Sequence, residues 1–117
     1  MKNKLESYKS LGYSAAGTII AVGARVEAFQ VGESVACGGA CASHAEVMAV
    51  PVNLCVKVPD GAKLEQAAFA TIGAIALQGV RQADVTLGEC VAVIGLGLVG
   101  QLTVQLLKAN GCRVLGI

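Results

Sequence analysis

The chain has 117 residues, and a hydrophobic content of 55% excludes an intrinsically disordered protein. Its net charge of +1 and aromatic content of 3% exclude nucleic-acid binding through a basic surface or through base stacking. The five cysteines are an odd number, and the N-terminal segment Met1–Glu6 lacks the apolar run of a signal peptide. These features favour reduced thiols and a cytoplasmic location.

The first half of the chain predicts short β-strands at a spacing of about 10–12 residues. Residues 17–22 are rich in β-branched side chains and end at the turn Gly23-Ala24. Three further apolar runs, each ended by glycine or proline, occupy residues 35–37, 45–50 and 54–58. This spacing is typical of a small all-β barrel.

The pattern changes at Gly61, and the second half predicts helices that alternate with strands. Apolar residues recur at helical spacing through residues 72–83. Residues 90–94 are continuously apolar, which predicts a strand buried on both faces. The helix that follows has a predicted apolar face made of Leu98, Val99, Leu102, Leu106 and Ala109. A second strand at residues 113–117 completes a right-handed, parallel βαβ unit.

A membrane-spanning helix is the alternative for the uncharged stretch of residues 90–107, which reaches the lower length limit for a span. Glycines and polar side chains interrupt it, namely Gly95, Gly97, Gly100, Gln101, Thr103 and Gln105. We therefore expect a strand followed by a helix here, and no membrane partner.

A glycine-rich motif, G-x-G-x-x-G, lies where the predicted strand meets the predicted helix. In a dinucleotide-binding turn, Gly95 would permit the sharp bend, Gly97 would let a pyrophosphate approach the backbone, and Gly100 would let the helix pack closely on the strand. The free N–H groups of the helix N-terminus would then face the phosphates. The predicted cofactor site consists of Gly95, Leu96, Gly97, Leu98, Val99 and Gly100. A purely structural glycine turn is the alternative.

The cofactor can be NAD or NADP. The acidic residue that favours NAD is expected about 20 residues beyond the glycines. The chain stops at Ile117, before or at that point.

A family resemblance rests on seven stretches, in this order: Gly12–Ile19, Val22-Gly23, Phe29–Val35, Ala45-Glu46, Val58–Gly61, Ala67-Ala68 and Gly95–Gly100. In order and spacing they resemble the medium-chain dehydrogenase/reductase superfamily, which includes zinc-type alcohol dehydrogenases and quinone reductases. The runs Ala67–Arg81 and Val93–Gly97 are most similar to two-part oxidoreductases.

The resemblance implies an α/β fold class. Residues 1–61 would be the C-terminal part of a GroES-like β domain, and residues 62–117 would be linking helices and the first βαβ unit of a Rossmann domain. It also implies an NAD- or NADP-dependent oxidoreductase that transfers hydride to or from a carbonyl or an alcohol. Because members of this family are much longer, we expect an internal fragment that is inactive alone.

Two departures from the family concern catalytic zinc. Zinc-type members have His-Glu where this chain has Tyr13-Ser14, and their later cysteine ligand would fall near Ala70 or Thr71. None of these residues replaces imidazole or thiolate on zinc. We therefore expect a zinc-independent enzyme. Tyr13 is the candidate proton donor to a substrate oxygen, with a partly buried core-edge residue as the alternative.

Three other residues, Cys37, Cys41 and His44, form an alternative metal cluster, with Cys55 or Glu46 as the fourth ligand. The competing interpretation is a turn with two small apolar residues and a histidine. The chain also lacks the four-cysteine structural zinc lobe of the family. Thr71 would lie beside a nicotinamide ring or act as a helix N-cap.

Two other functions remain open from the sequence: a non-catalytic nucleotide-binding module, and an assembly module. A two-stranded parallel sheet has two faces to cover and is not stable alone. We therefore expect a homo-oligomer that forms through unpaired sheet or helix faces.

Overall fold

The computed structural model describes residues 11–117, which belong to two compact units, one ending at Thr71 and the other spanning Ile72–Ile117. Residues 1–10, from which the absence of a signal peptide was inferred, lie outside the described residues. The division between the units falls within a helix. The domain boundary expected after residue 61 therefore stays a prediction.

The first unit is built on an antiparallel sheet of three strands in the order β1-β2-β3. Strand β1 is Ser14–Thr18, β2 is Ser34–Gly38 and β3 is Cys55–Lys57. A single 3-10 turn, Val52–Leu54, precedes β3, and a short helix α1, Leu64–Ala67, follows it. The buried residues are Gly38 and four hydrophobic residues without large side chains, which allows close packing of backbone on backbone: Val35, Ala36, Cys37 and Ala42.

Two strand predictions in this unit are wrong. The strand predicted over residues 17–22 ends at Thr18, because the chain beyond Ile19 no longer pairs with β2 and Gly32 turns the backbone with a φ of +92°. Residues 45–50 form no strand and line a cavity instead. None of these residues is buried, and Val47 is 67% exposed, although hydropathy alone predicts an interior strand.

The second unit contains the predicted βαβ arrangement. Helix α2 spans Ala70–Gln82, strand β4 spans Cys90–Val93, helix α3 spans Leu98–Ala109 and strand β5 spans Arg113–Gly116. Strands β4 and β5 are parallel. No helix within residues 11–117 is long and apolar enough to cross a membrane, and the uncharged stretch is divided between β4, a turn and α3.

The core of the second unit lies between α3 and one face of the β4–β5 sheet. Its buried residues are Val93, Leu107 and Cys112, surrounded by Val80, Val85, Val91, Val104 and Val114. The apolar face predicted for α3 is therefore wrong. Leu98 is 49% exposed, whereas Leu107 is 2% exposed. The buried face passes through Gly100, Val104 and Leu107, at i, i+4 and i+7.

Strand β4 is not buried on both faces, contrary to the expectation. Val93 is buried, but Cys90 and Ala92 are exposed, and Ile94, just after the strand, is 83% exposed. Within the described residues, α3 packs on one face of this sheet only, so alternate residues of β4 face solvent.

Leu107→Ala is expected to lower the free energy of unfolding by about 2–5 kcal/mol, because it leaves a cavity in a packed core. Leu98→Ala is the matched control on the same helix, and should cost no more than about 1 kcal/mol. Urea unfolding of the two variants measures both values. Equal losses would show that the buried face of α3 is not the one described.

Candidate functional site

The glycine-rich turn leaves the sheet at the end of β4 with Gly95 in a left-handed conformation, φ +89°. The Gly95 N–H donates to the Ile117 carbonyl at 2.8 Å, and the Ile117 N–H donates to the Val93 carbonyl at 2.9 Å. The backbone beyond β5 therefore holds the start of the turn in place. A side chain at position 95 would strain this conformation.

Gly100 lies in the first turn of α3, against the backbone of Gly95. A Cβ at position 100 would overlap the Gly95 carbonyl oxygen. Helix and turn therefore approach more closely than any other residue at position 100 would allow. This contact matches the role that the sequence motif predicts for its third glycine.

At position 97, unlike positions 95 and 100, neither the backbone conformation nor a close contact requires glycine. The Gly97 φ of −68° is open to any residue, and Gly97 lies just before α3 with no side-chain cap in the described structure. Apart from Gly97 itself and its two neighbours along the chain, no atom of residues 11–117 lies within 4 Å of a Cβ built at this position. The first N–H groups of a helix have no intrahelical partner and carry a partial positive charge. The backbone is thus accessible to an anionic group.

The N-terminus of α3 has no acidic side chain in its first turn, so nothing on the helix opposes an anion there. The turn, with its left-handed Gly95, open Gly97 and closely packed Gly100, fits a dinucleotide pyrophosphate. The six residues of the predicted cofactor site form this turn and the first turn of the helix.

Two contacts that support the turn were missed by sequence reasoning, one made by Leu96 and one made by Gln101, a residue outside the predicted site. The Leu96 side chain lies over the backbone of Gly116, where a built Cβ would come within 3.0 Å of both Leu96 methyl carbons. The Gln101 side-chain amide donates to the Leu96 carbonyl at 3.1 Å. A glycine at the end of the second strand was the available signal for the first contact. The second depends on the helix position and had no sequence signal.

Tyr13, the candidate proton donor, lies just before β1 and is 48% exposed. Its carbonyl accepts from the Gly39 N–H at 3.0 Å, and the Leu11 carbonyl accepts from the His44 N–H at 2.8 Å. The His44 ring lies against Gly12, where a built Cβ would be 3.2 Å from Cδ2. The structure therefore brings His44 beside the Tyr13 segment, although the two were predicted for different roles.

Thr71 is not a helix N-cap, because α2 already begins at Ala70. Its hydroxyl donates to the Cys37 carbonyl at 3.4 Å, and a Cβ at Gly38 would come within 2.6 Å of that hydroxyl. The Ser14 hydroxyl donates to the Ala68 carbonyl at 2.6 Å. These contacts hold Ala68 and Thr71 against β1 and β2.

The alternative metal cluster is not assembled in residues 11–117, where no group of three or more histidine, cysteine, aspartate or glutamate side chains could share an ion. Cys37 is buried, whereas Cys41 and His44 are exposed. Burial raises the pKa of the Cys37 thiol, and nearby Cys55 raises it further. A raised pKa disfavours the thiolate that zinc requires.

The comparisons with known proteins agree on one family. The alcohol dehydrogenase GroES-like domain matches residues 2–60. D-guloside 3-dehydrogenases of Escherichia coli and Shigella flexneri are 36% identical over 104 residues, which is 89% of this chain and 30% of theirs. The chain therefore spans about a third of the length of the curated relatives it matches.

Solved structures with more than 30% sequence identity share the fold, and they include the following two. A quinone oxidoreductase of Pseudomonas syringae matches with a TM-score of 0.76 and 34% identity, covering 91% of this chain and 34% of that one. A mycobacterial protein solved in complex with NADPH matches with a TM-score of 0.74 and 34% identity, covering 90% and 34%. The expected fold class, a GroES-like part joined to the start of a Rossmann domain, is confirmed. The chain belongs to the medium-chain dehydrogenase/reductase superfamily, through its alcohol dehydrogenase GroES-like domain.

Proposed function

We propose that this chain supplies the dinucleotide-binding turn of an NAD- or NADP-dependent oxidoreductase. The observation that carries the proposal is the open backbone at Gly97, next to the N-terminus of α3. The residues Gly95–Gly100 would hold the pyrophosphate through backbone N–H groups. The mycobacterial relative that was solved with NADPH supports the choice of cofactor.

The bound nicotinamide would supply or accept the hydride that reduces a carbonyl or oxidises an alcohol. In this chain, the half-exposed phenol of Tyr13 is the candidate donor of the accompanying proton. The curated relatives are much longer than this chain. We therefore assign the chemistry to a longer protein, and expect residues 1–117 alone to bind the cofactor without turnover.

Gly97→Asp should weaken NADPH or NADH binding by at least about tenfold, because it places a carboxylate where the pyrophosphate approaches. Stability should change little, since the space around Gly97 is open and its φ is an ordinary one. Gly73→Ala, a second glycine with open space around it, is the control and should bind normally. Calorimetric titration measures the affinity of the unmodified chain and of both variants for the cofactor.

A third variant shows how a disturbed turn affects both folding and binding. Gly100→Ala should lower both stability and affinity, because its methyl group overlaps the Gly95 carbonyl. If Gly97→Asp binds the cofactor as tightly as the unmodified chain, the turn is a structural feature and the binding proposal fails.

Zinc independence is part of the same proposal. Tyr13 occupies the position at which zinc-type relatives have their histidine ligand. The Thr71 hydroxyl donates a hydrogen bond to the Cys37 carbonyl. Elemental analysis of untagged protein should find well below one equivalent of zinc. One equivalent that disappears in both Cys41→Ser and His44→Ala would contradict the proposal and favour the alternative cluster.

Self-association is a second candidate function, favoured by the open face of the β4–β5 sheet. On this face Ala92 lies opposite Leu115, which is 58% exposed. An exposed apolar sheet face is a common site of protein association. A second copy of this chain would cover it.

Sedimentation velocity at micromolar concentration should show a dimer or a larger oligomer. Leu115→Lys should shift the chain toward monomer, because it places a charge on the open face. Val31→Lys, at an exposed apolar position in the first unit, should leave the oligomer intact. A well-folded monomer in the unmodified chain would exclude this candidate.

A further inference from the structure

Two cysteines of the first unit lie opposite each other on neighbouring strands. The antiparallel register of β2 and β3 pairs Val35 with Lys57 and Cys37 with Cys55. Opposite residues in an antiparallel pair have their side chains on the same face of the sheet. The two thiols therefore share one side of the sheet, although 17 residues separate them along the chain.

The hydrogen bonds between β2 and β3 show whether Cys37 and Cys55 are a hydrogen-bonded or a non-hydrogen-bonded pair. The Val58 N–H donates to the Ser34 carbonyl at 2.9 Å, so Ser34 and Val58 form a hydrogen-bonded pair. Such pairs alternate with non-hydrogen-bonded pairs along the ladder. Counting from Ser34, Cys37 and Cys55 are a non-hydrogen-bonded pair, in which the Cα atoms are about 4.5 Å apart and the side chains lie closest together.

This geometry is compatible with a disulfide. Bonded cysteines have Cα atoms about 4.4–6.8 Å apart, so a bond between β2 and β3 requires no movement of the strands. Both side chains also line the same cavity, where Cys37 Sγ is 3.9 Å from Met48 Sδ and Cys55 Sγ is 3.5 Å from the Pro51 carbonyl.

The other cysteines lack this arrangement. Cys41 lines the same cavity but is exposed and lies beyond the end of β2. Cys90 is exposed and Cys112 is buried, and both belong to the second unit. The pairing is therefore specific to Cys37 and Cys55.

We propose that Cys37 and Cys55 are a redox-active pair, which a two-electron oxidant such as a peroxide converts into a disulfide across β2 and β3. The two S–H bonds break and one S–S bond forms. With hydrogen peroxide as the oxidant, the two electrons and two protons pass to the peroxide, whose O–O bond breaks to give two molecules of water. A dithiol reductant reverses the change by thiol–disulfide exchange.

The state of the thiols sets the speed of this reaction. Burial raises the pKa of both thiols, so both are protonated at neutral pH. The thiolate is the reactive form, so the rate of oxidation by peroxide should be low at neutral pH. The bond would join β3 to β2, the strand whose Cys37 carbonyl accepts from the Thr71 hydroxyl.

The test treats the full chain with hydrogen peroxide, alkylates remaining thiols under denaturing conditions and maps the product without reduction. Trypsin leaves Cys37, Cys41 and Cys55 on one peptide, because no lysine or arginine separates them. Cleavage after glutamate is suitable instead, since Glu46 lies between Cys41 and Cys55. We expect peptide 34–46 to be linked to peptide 47–65.

Two variants assign the linkage. Cys41→Ser should retain it, because Cys37 is then the only thiol of its peptide, and Cys55→Ala should lose it. The oxidised unmodified chain should also melt several degrees higher than the reduced chain, since the bond closes a loop in the unfolded state. Cys55→Ala should show no such increase. Cys90→Ser controls for intermolecular disulfides and should behave as the unmodified chain.

The proposal is overturned if the linkage disappears in Cys41→Ser, if the only disulfides are between chains through Cys41 or Cys90, or if Cys37 and Cys55 both remain open to alkylation. This test does not depend on cofactor binding. It therefore stands or fails separately from the proposed oxidoreductase function.

Discussion

The contact between Gly100 and the Gly95 carbonyl sets how α3 lies on the turn that precedes it. A helix can rotate about its axis until a close contact prevents it, and here the missing side chain of Gly100 lets the helix settle directly on the turn. Residues four and seven positions further along then face the sheet, and these are Val104 and Leu107. The same rotation leaves Gly97 facing open space. One backbone contact thus sets both the core and the candidate cofactor site.

In the first unit, strand β2 has the corresponding role. It is the middle strand of the sheet and contains most of the buried residues. Because these residues are small, neighbouring segments approach its backbone closely, as the contact of Thr71 with Gly38 shows. The position of Thr71 and the pairing of the two cysteines both depend on this strand. A change in β2 would therefore affect several features together.

Electrostatic interactions contribute less to the stability of this sheet than packing does, and they act at the ends of its strands. Glu33 accepts from Lys57 at 2.6 Å and from the Gln30 N–H at 2.9 Å, and these bonds lower the pKa of its carboxyl. The ion pair joins the ends of β2 and β3 on the exposed side. Its contribution to stability is present when the carboxylate is ionised and is lost as the pH falls through its lowered pKa. Exposed pairs of this kind contribute little, so the sheet depends mainly on packing and on its ladder.

Features that depend on local chemistry could be predicted from the residues alone. The glycine motif predicted the turn between β4 and α3, because each glycine answers a local steric need, and the alternation of elements predicted the parallel βαβ unit. The sequence does not show which face of α3 is buried, because several faces of that helix are apolar. The apolar residues are Leu98, Val99, Leu102, Leu106 and Leu107. Only the contact at Gly100 selects one of them.

Tertiary structure also decided which apolar runs become strands and which cysteines meet. Residues 45–50 are as apolar as a strand but find no ladder partner, and β4 is covered on one face only within the described residues. The pairing of Cys37 with Cys55 depends on the register of two strands distant in sequence. Hydropathy specifies whether a residue prefers the interior, but hydrogen bonds between distant segments fix what it contacts there.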